Sequence, residues 1–147
     1  MKSHYRMLGL NLAASAVVMY LVMFTMIDGM ADFYNNINTV YMTLMMVSPM
    51  AILMLLMMGS MYANRRLNLA LSAAFGAVFI LSFTAIRTQA AVGDEQFLRS
   101  MIPHHSGAIL MCREAAIDDA EIAALCGRII ESQKEEIDQM KQILARI

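Results

Sequence analysis

Hydrophobic positions along this chain follow two different patterns, and the change falls near Gly93. Ahead of it, three apolar stretches run over about 7–27, 40–62 and 67–86, none with a charge inside it. A helix needs roughly 20 such residues to cross a bilayer, so three transmembrane helices are predicted. Tyr5, Phe33, Tyr34, Tyr41 and Tyr62 sit near the ends of these stretches, where interfacial aromatics belong. Pro49 falls in mid-span of the second and predicts a kink. Behind Gly93 the apolar residues recur with the 3.6-residue period of amphipathic helices. Two are predicted, about 95–116 and 119–146, joined by a turn at Ile117-Asp118-Asp119. Asp94 reads as the N-cap of the first, and Asp118 with Glu121 as an aspartate version of a capping box for the second. Pro103 predicts a bend near Met101. The last helix carries the stripe Ile122, Leu125/Cys126, Ile129/Ile130, Gln133, Ile137, Met140 and Leu144, broken only by Gln133.

Charge sharpens the division. Residues 1–92 hold two acids and five bases, whereas residues 93–147 hold ten acids and six bases. Apolar residues make up 59% of the 147, and the mean hydropathy is +0.56. The chain reads as all-α, with a membrane domain over 1–92 and a water-soluble helical hairpin domain over 93–147. Lys2 and Arg6 precede the first span, and Arg65 and Arg66 lie between the second and third. Lysine and arginine favour the cytoplasmic side, so the N-terminus is expected there and the hairpin outside a bacterial inner membrane, in the periplasm. Arg87 is one exception against four. Gly29-Met30-Ala31 has the spacing of a signal-peptidase site, but the apolar run before it is longer than the ~7–15 residues of a signal peptide, so an uncleaved anchor is expected. Asp28 and Asp32 read as a solvated loop end. No basic patch speaks for nucleic acid.

Candidate chemistry is concentrated in 97–112. On a helix Met101, His104, His105, Ala108 and Cys112 share one face, with Met111 beside them. Thioether and imidazole on one stripe suit a soft or borderline metal ion. The alternative is a pair of half-exposed histidines on a bent helix, with methionine filling the core. Adjacent residues point about 100° apart, so His104 and His105 cannot both be central on one face. Folding the two helices back on each other pairs residues whose numbers add to roughly 235 at 1.5 Å per residue. His104 and His105 then face Ile130 and Glu131, and Glu131 or Gln133 is placed to bond a histidine or complete a metal shell. Cys112 and Cys126 have three readings: an inter-helix disulfide in an oxidising compartment, soft metal ligands, or buried small residues. There are 17 methionines. Met19, Met23, Met26 and Met30 form one helical stripe, and Met42, Met46, Met50, Met54, Met57/Met58 and Met61 another. Such a ladder offers a path for Cu(I) or Ag(I). Plain lipid or helix packing is the competing reading, since no polar residue accompanies the stripes in the bilayer. Two helices alone hide too little apolar surface, so a homodimer or higher homo-oligomer through the hairpin is expected, giving a four-helix bundle.

The run Phe97-Leu-Arg-Ser-Met101-Ile-Pro103-His104-His105, followed by Ile130-x-x-Gln133-x-x-Glu136-Ile137-x-x-Met140, resembles the domain of unknown function family 305, whose members include CopM-type copper-binding proteins of bacteria. The resemblance covers about 94–144. It implies a ferritin-like helical bundle outside the cytoplasmic membrane that binds Cu(I) or Ag(I) through Met101, His104, His105 and Met140. Cys112, Cys126, Met111 and Gln133 are weaker candidates. Longer members repeat the helical pair, and this chain has one pair only. The function expected is sequestration of Cu(I) or Ag(I), or its transfer to and from a metal-donor or metal-acceptor protein. The alternative is a membrane scaffold module that dimerises through the hairpin. An enzyme is not expected. A ferritin-like oxidase needs Glu-x-x-His pairs, and neither histidine has a glutamate three residues before it.

Overall fold

The computed structural model describes residues 2–147, with side-chain exposure from residue 4 onward; the side chain of Lys2, counted above for orientation, lies outside the described residues. The chain is all-α: α1 (Lys2–Val22), α2 (Ile37–Met57), α3 (Arg65–Thr88), α4 (Asp94–Glu114) and α5 (Ala120–Leu144), with a short 3-10 turn at Met30–Asp32. It forms two compact units that are not consecutive stretches of chain. Residues up to Val22 join Asn38–Ala91, while Met23–Ile37 joins Val92–Ile147.

The first unit contains α1, α2 and α3, and all three are long and apolar enough to cross a membrane. Its core is Leu8, Leu12, Val47, Ala51, Leu55 and Tyr62, with Met19, Met50, Met54, Leu71 and Phe75 packed against it. Ala51 is fully buried, which lets neighbouring backbones approach. Close packing of this kind holds helices together where the surroundings are as apolar as leucine. Leu10, Val17, Leu56, Leu69, Ile80 and Leu81 are exposed, as a lipid-facing surface requires. Thr43 and Ser48 of α2 bond inside their own helix. The Thr43 hydroxyl donates to Thr39 O at 2.8 Å and the Ser48 hydroxyl to Leu44 O at 2.7 Å. Helix α2 runs without a break through Pro49.

Side-chain bonds fasten both ends of this unit. At one end the Tyr5 hydroxyl donates to Asn68 Oδ1 at 2.7 Å, and Asn68 Nδ2 donates to Tyr62 O at 2.7 Å. Asn64 caps α3 by accepting from Leu67 N–H at 3.0 Å. At the other, Asn38 Nδ2 donates to Gln89 Oε1 at 3.1 Å and the Tyr41 hydroxyl to Ala90 O at 2.9 Å.

Helix α1 ends at Val22, short of the apolar stretch read as its span. Met23–Ile37 belongs to the second unit, where Phe24 is buried and its ring lies 4.3 Å from that of Phe33. Hydropathy registers an apolar residue without saying whether lipid or protein covers it. The stripe Met19-Met23-Met26-Met30 therefore does not exist as one helical face.

The second unit is the α4–α5 hairpin with the connector 23–37 against it. Leu98, Ile102, Ile109, Ile137 and Met140 form its core; Tyr34, Met101, Ile130, Ile143 and Leu144 pack around them. Both N-caps lie one residue from the positions predicted. Gly93 precedes α4, leaving Asp94 and Glu95 in the first turn, and Asp119, not Asp118, caps α5 by accepting from Glu121 N–H and Ile122 N–H. Helix α4 continues through Pro103 as a single helix.

Candidate functional site in the helical hairpin

The hairpin is fastened in three places along its length. Near the turn, Cys112 and Cys126 form a disulfide with their Cα atoms 5.2 Å apart. This takes both sulfurs out of the set of thiolate ligands. It also places the register at numbers adding to 238, about one turn from the expected 235.

Further down, His105 is buried and ties α4 to α5. Its Nε2 lies 2.7 Å from Glu136 Oε2, and its Nδ1 lies 2.9 Å from Met101 O, one turn back on α4. A backbone carbonyl only accepts, so Nδ1–H donates to Met101 O and Nε2 is the nitrogen that faces the Glu136 carboxyl group. The second oxygen of Glu136 accepts from the Ser132 hydroxyl at 3.0 Å. The histidine partner is thus Glu136, and neither Glu131 nor Gln133. Side chains on a helix lean toward its N-terminus. In an antiparallel pair, two long side chains therefore meet across positions whose numbers add to more than the backbone register gives.

The third fastening comes from the connector. Ser106 is completely buried; its hydroxyl donates to Asp32 Oδ2 at 2.6 Å and accepts from Asp28 N–H at 2.7 Å. Lys141 Nζ donates to Asp32 Oδ1 at 2.6 Å. Asp32 is itself buried, and joins the connector to α4 and α5 at once. Burying a carboxylate is costly, and here a cation and a hydroxyl offset that cost. The Asp28 carboxylate faces Arg113 Nη1 at 2.8 Å, an ion pair without the alignment of a hydrogen bond. The hydrogen bond to Glu114 and then the charge of Asp28 hold the Arg113 guanidinium above its usual range. Asp28 and Asp32 are therefore not a solvated loop end. Gly107 of α4 faces the connector backbone at Met26. A Cβ there would lie 3.4 Å from Met26 O.

The predicted ligands divide into two groups. Met101, half-buried, and Met140, buried, belong to the one apolar cluster of the hairpin, and His105 lies one turn from Met101. His104 is exposed, its ring edge-on to that of His105 with centroids 5.9 Å apart. Met111 is exposed and Gln133 half-buried. Among the described residues no three histidine, cysteine or acidic side chains converge as a metal-binding group. Met101 and Met140 share one apolar cluster, and the His105 ring is bonded to the Met101 backbone carbonyl. Sequence reasoning missed Ser106, Lys141 and the tie made by Asp32. Glu136 stood in the quoted motif without a role. The lone pair of acids in an otherwise uncharged region was the signal that pointed to Asp32.

Comparison with known proteins adds three findings. The family described as "Domain of unknown function (DUF305)" matches residues 49–144, reaching back through α3 into α2. The "Uncharacterized protein L153" of Acanthamoeba polyphaga mimivirus is 45% identical over 69 residues, 46% of this chain; the chain covers 45% of the length of that relative. No solved structure matches.

Proposed function

Because the chain belongs to the domain of unknown function 305 family, we propose that it is a membrane-anchored protein that holds Cu(I) or Ag(I) as cargo, storing it or passing it to a partner protein. The observation that carries this reading is the grouping of Met101, His105 and Met140 on one hairpin. Thioether and imidazole are the donors that soft monovalent ions take, and hard cations do not favour them. His104, exposed beside this group, is the natural entry ligand. Metal at His105 must displace either Glu136 or Met101 O, so these two bonds hold the ring in place until cargo arrives. Lysine and arginine placement supports a hairpin outside a bacterial cytoplasmic membrane. Ile122 and Leu125 on α5 and Phe97 and Met111 on α4 remain exposed, which supports a homodimer completing a ferritin-like four-helix bundle.

Equilibrium dialysis of the full-length protein against Ag(I) tests the reading. Met101→Leu with Met140→Leu keeps the core volume and should remove bound silver from the hairpin. A second reading, a non-catalytic scaffold, is favoured by the same His105–Glu136 bond, which fastens the hairpin without metal. It expects no silver to lose, and damage only from the apolar seam, as in Ile137→Asp.

A further inference from the structure

We propose a second soft-metal site, in the membrane unit, at the groove between the start of α1 and the end of α2. The groove has a volume of about 540 Å³ and is lined by His4, Met7 and Asn11 on one side and Met54, Met58 and Met61 on the other. Both walls follow helical spacing. His4, Met7 and Asn11 are separated by three and four residues, as on one helix face, and so are Met54, Met58 and Met61. The backbone keeps a helical pattern past the end of α2: Met58 N–H donates to Met54 O at 3.0 Å and Tyr62 N–H to Met58 O at 3.3 Å. Four thioethers and an imidazole thus line one groove between two elements.

In mid-span the polar residues of α2, Thr43 and Ser48, spend their hydroxyls on their own backbone, and that counted against a metal role for its methionines. The fold supplies companions from α1, in His4 and Asn11. Tyr62 also lines the groove, and groups outside the lining fix it in place. Tyr5 packs its ring against Tyr62, with centroids 5.3 Å apart, and bonds to Asn68, which in turn holds Tyr62 O. Such outer bonds fix the walls before a ligand arrives. Among the described residues no carboxylate lines the groove, so a hard divalent cation lacks the charged oxygen ligands it favours. A monovalent soft ion, Cu(I) or Ag(I), matches uncharged sulfur donors in an apolar setting. This site uses none of the hairpin residues, and it lies at the end of the membrane unit that carries Arg65 and Arg66.

The test uses full-length protein in detergent micelles, with methionine methyl groups labelled with 13C and Ag(I) added alone. The methyl signals of Met7, Met54, Met58 and Met61 should shift, and should shift equally in the Met101→Leu/Met140→Leu variant, where the hairpin reading alone would be lost. The variant Met54→Leu/Met58→Leu/Met61→Leu should retain one silver equivalent fewer after gel filtration, with unchanged helical circular dichroism. Unmoved signals from these four methionines in the unsubstituted protein would overturn the proposal, whether or not any variant folds. Equal silver retention by the folded triple variant would overturn it as well, leaving the groove to a lipid chain.

Discussion

Ser106 has no exposed atom, and its hydroxyl both donates and accepts. Replacing it with alanine leaves Asp28 N–H and one oxygen of Asp32 without their partner in a buried setting. An unmade buried bond costs about 1–3 kcal/mol, so Ser106→Ala should lower the urea midpoint of the hairpin by a corresponding amount. Lys141→Met should do comparable damage, because it leaves the Asp32 carboxylate with only a hydroxyl. Two losses that simply add would show that Asp32 does not join them, since residues sharing one network are coupled. None of this was legible beforehand. A serine after two histidines carries no spacing signal, and the two acids at 28 and 32 looked like a loop end because their partners are more than seventy residues away in sequence. His105 and Met140 stood in the motif, but the bond from His105 to Glu136 depended on a register that sequence places only to about a turn.

At the scale of elements, the hairpin is held by the disulfide, the His105–Glu136 bond and the connector. The disulfide closes a loop across a sequence separation of 14. Loop-closure entropy for that length is worth about 3 kcal/mol, so Cys112→Ser/Cys126→Ser, or added reductant, should shift the denaturation midpoint by roughly that much. The connector meets α4 at Gly107 with room for one methyl group and no more. Gly107→Ala should be neutral or slightly stabilising, since alanine is the better helix former by about 1 kcal/mol. Gly107→Val should force the connector off α4 and cost about 1–3 kcal/mol, read as faster amide exchange over 23–37. Equal exchange in both variants would contradict this packing. The helices themselves were readable from period and capping residues, with ends displaced by a few residues. Hydropathy placed 23–27 in the first span because Phe24 is as apolar as a lipid-facing residue, while the fold buries it against Phe33.

For the whole molecule, composition alone separated the apolar front from the acidic hairpin, and three helices suited to a membrane follow from it. The interleaving of the units was not legible, because it rests on long-range bonds from one short connector. The apolar residues still exposed on the hairpin lead to a further expectation. Ile122→Asp with Leu125→Asp should shift the protein to a smaller species in detergent-corrected light scattering if the hairpins pair, and an unchanged mass would rule pairing out through this face. The claim at the centre of the functional reading is that the hairpin holds a soft monovalent ion. Its most direct test is an anaerobic Cu(I) titration of the full chain against a competing chelator, comparing the unsubstituted protein with Met101→Leu/Met140→Leu and with His104→Ala/His105→Ala. Metal handling by the hairpin predicts that each pair of substitutions removes the same copper equivalent while the helical signal persists. Identical copper binding by all three proteins would contradict it, leaving His105 and Glu136 as a structural tie between two helices.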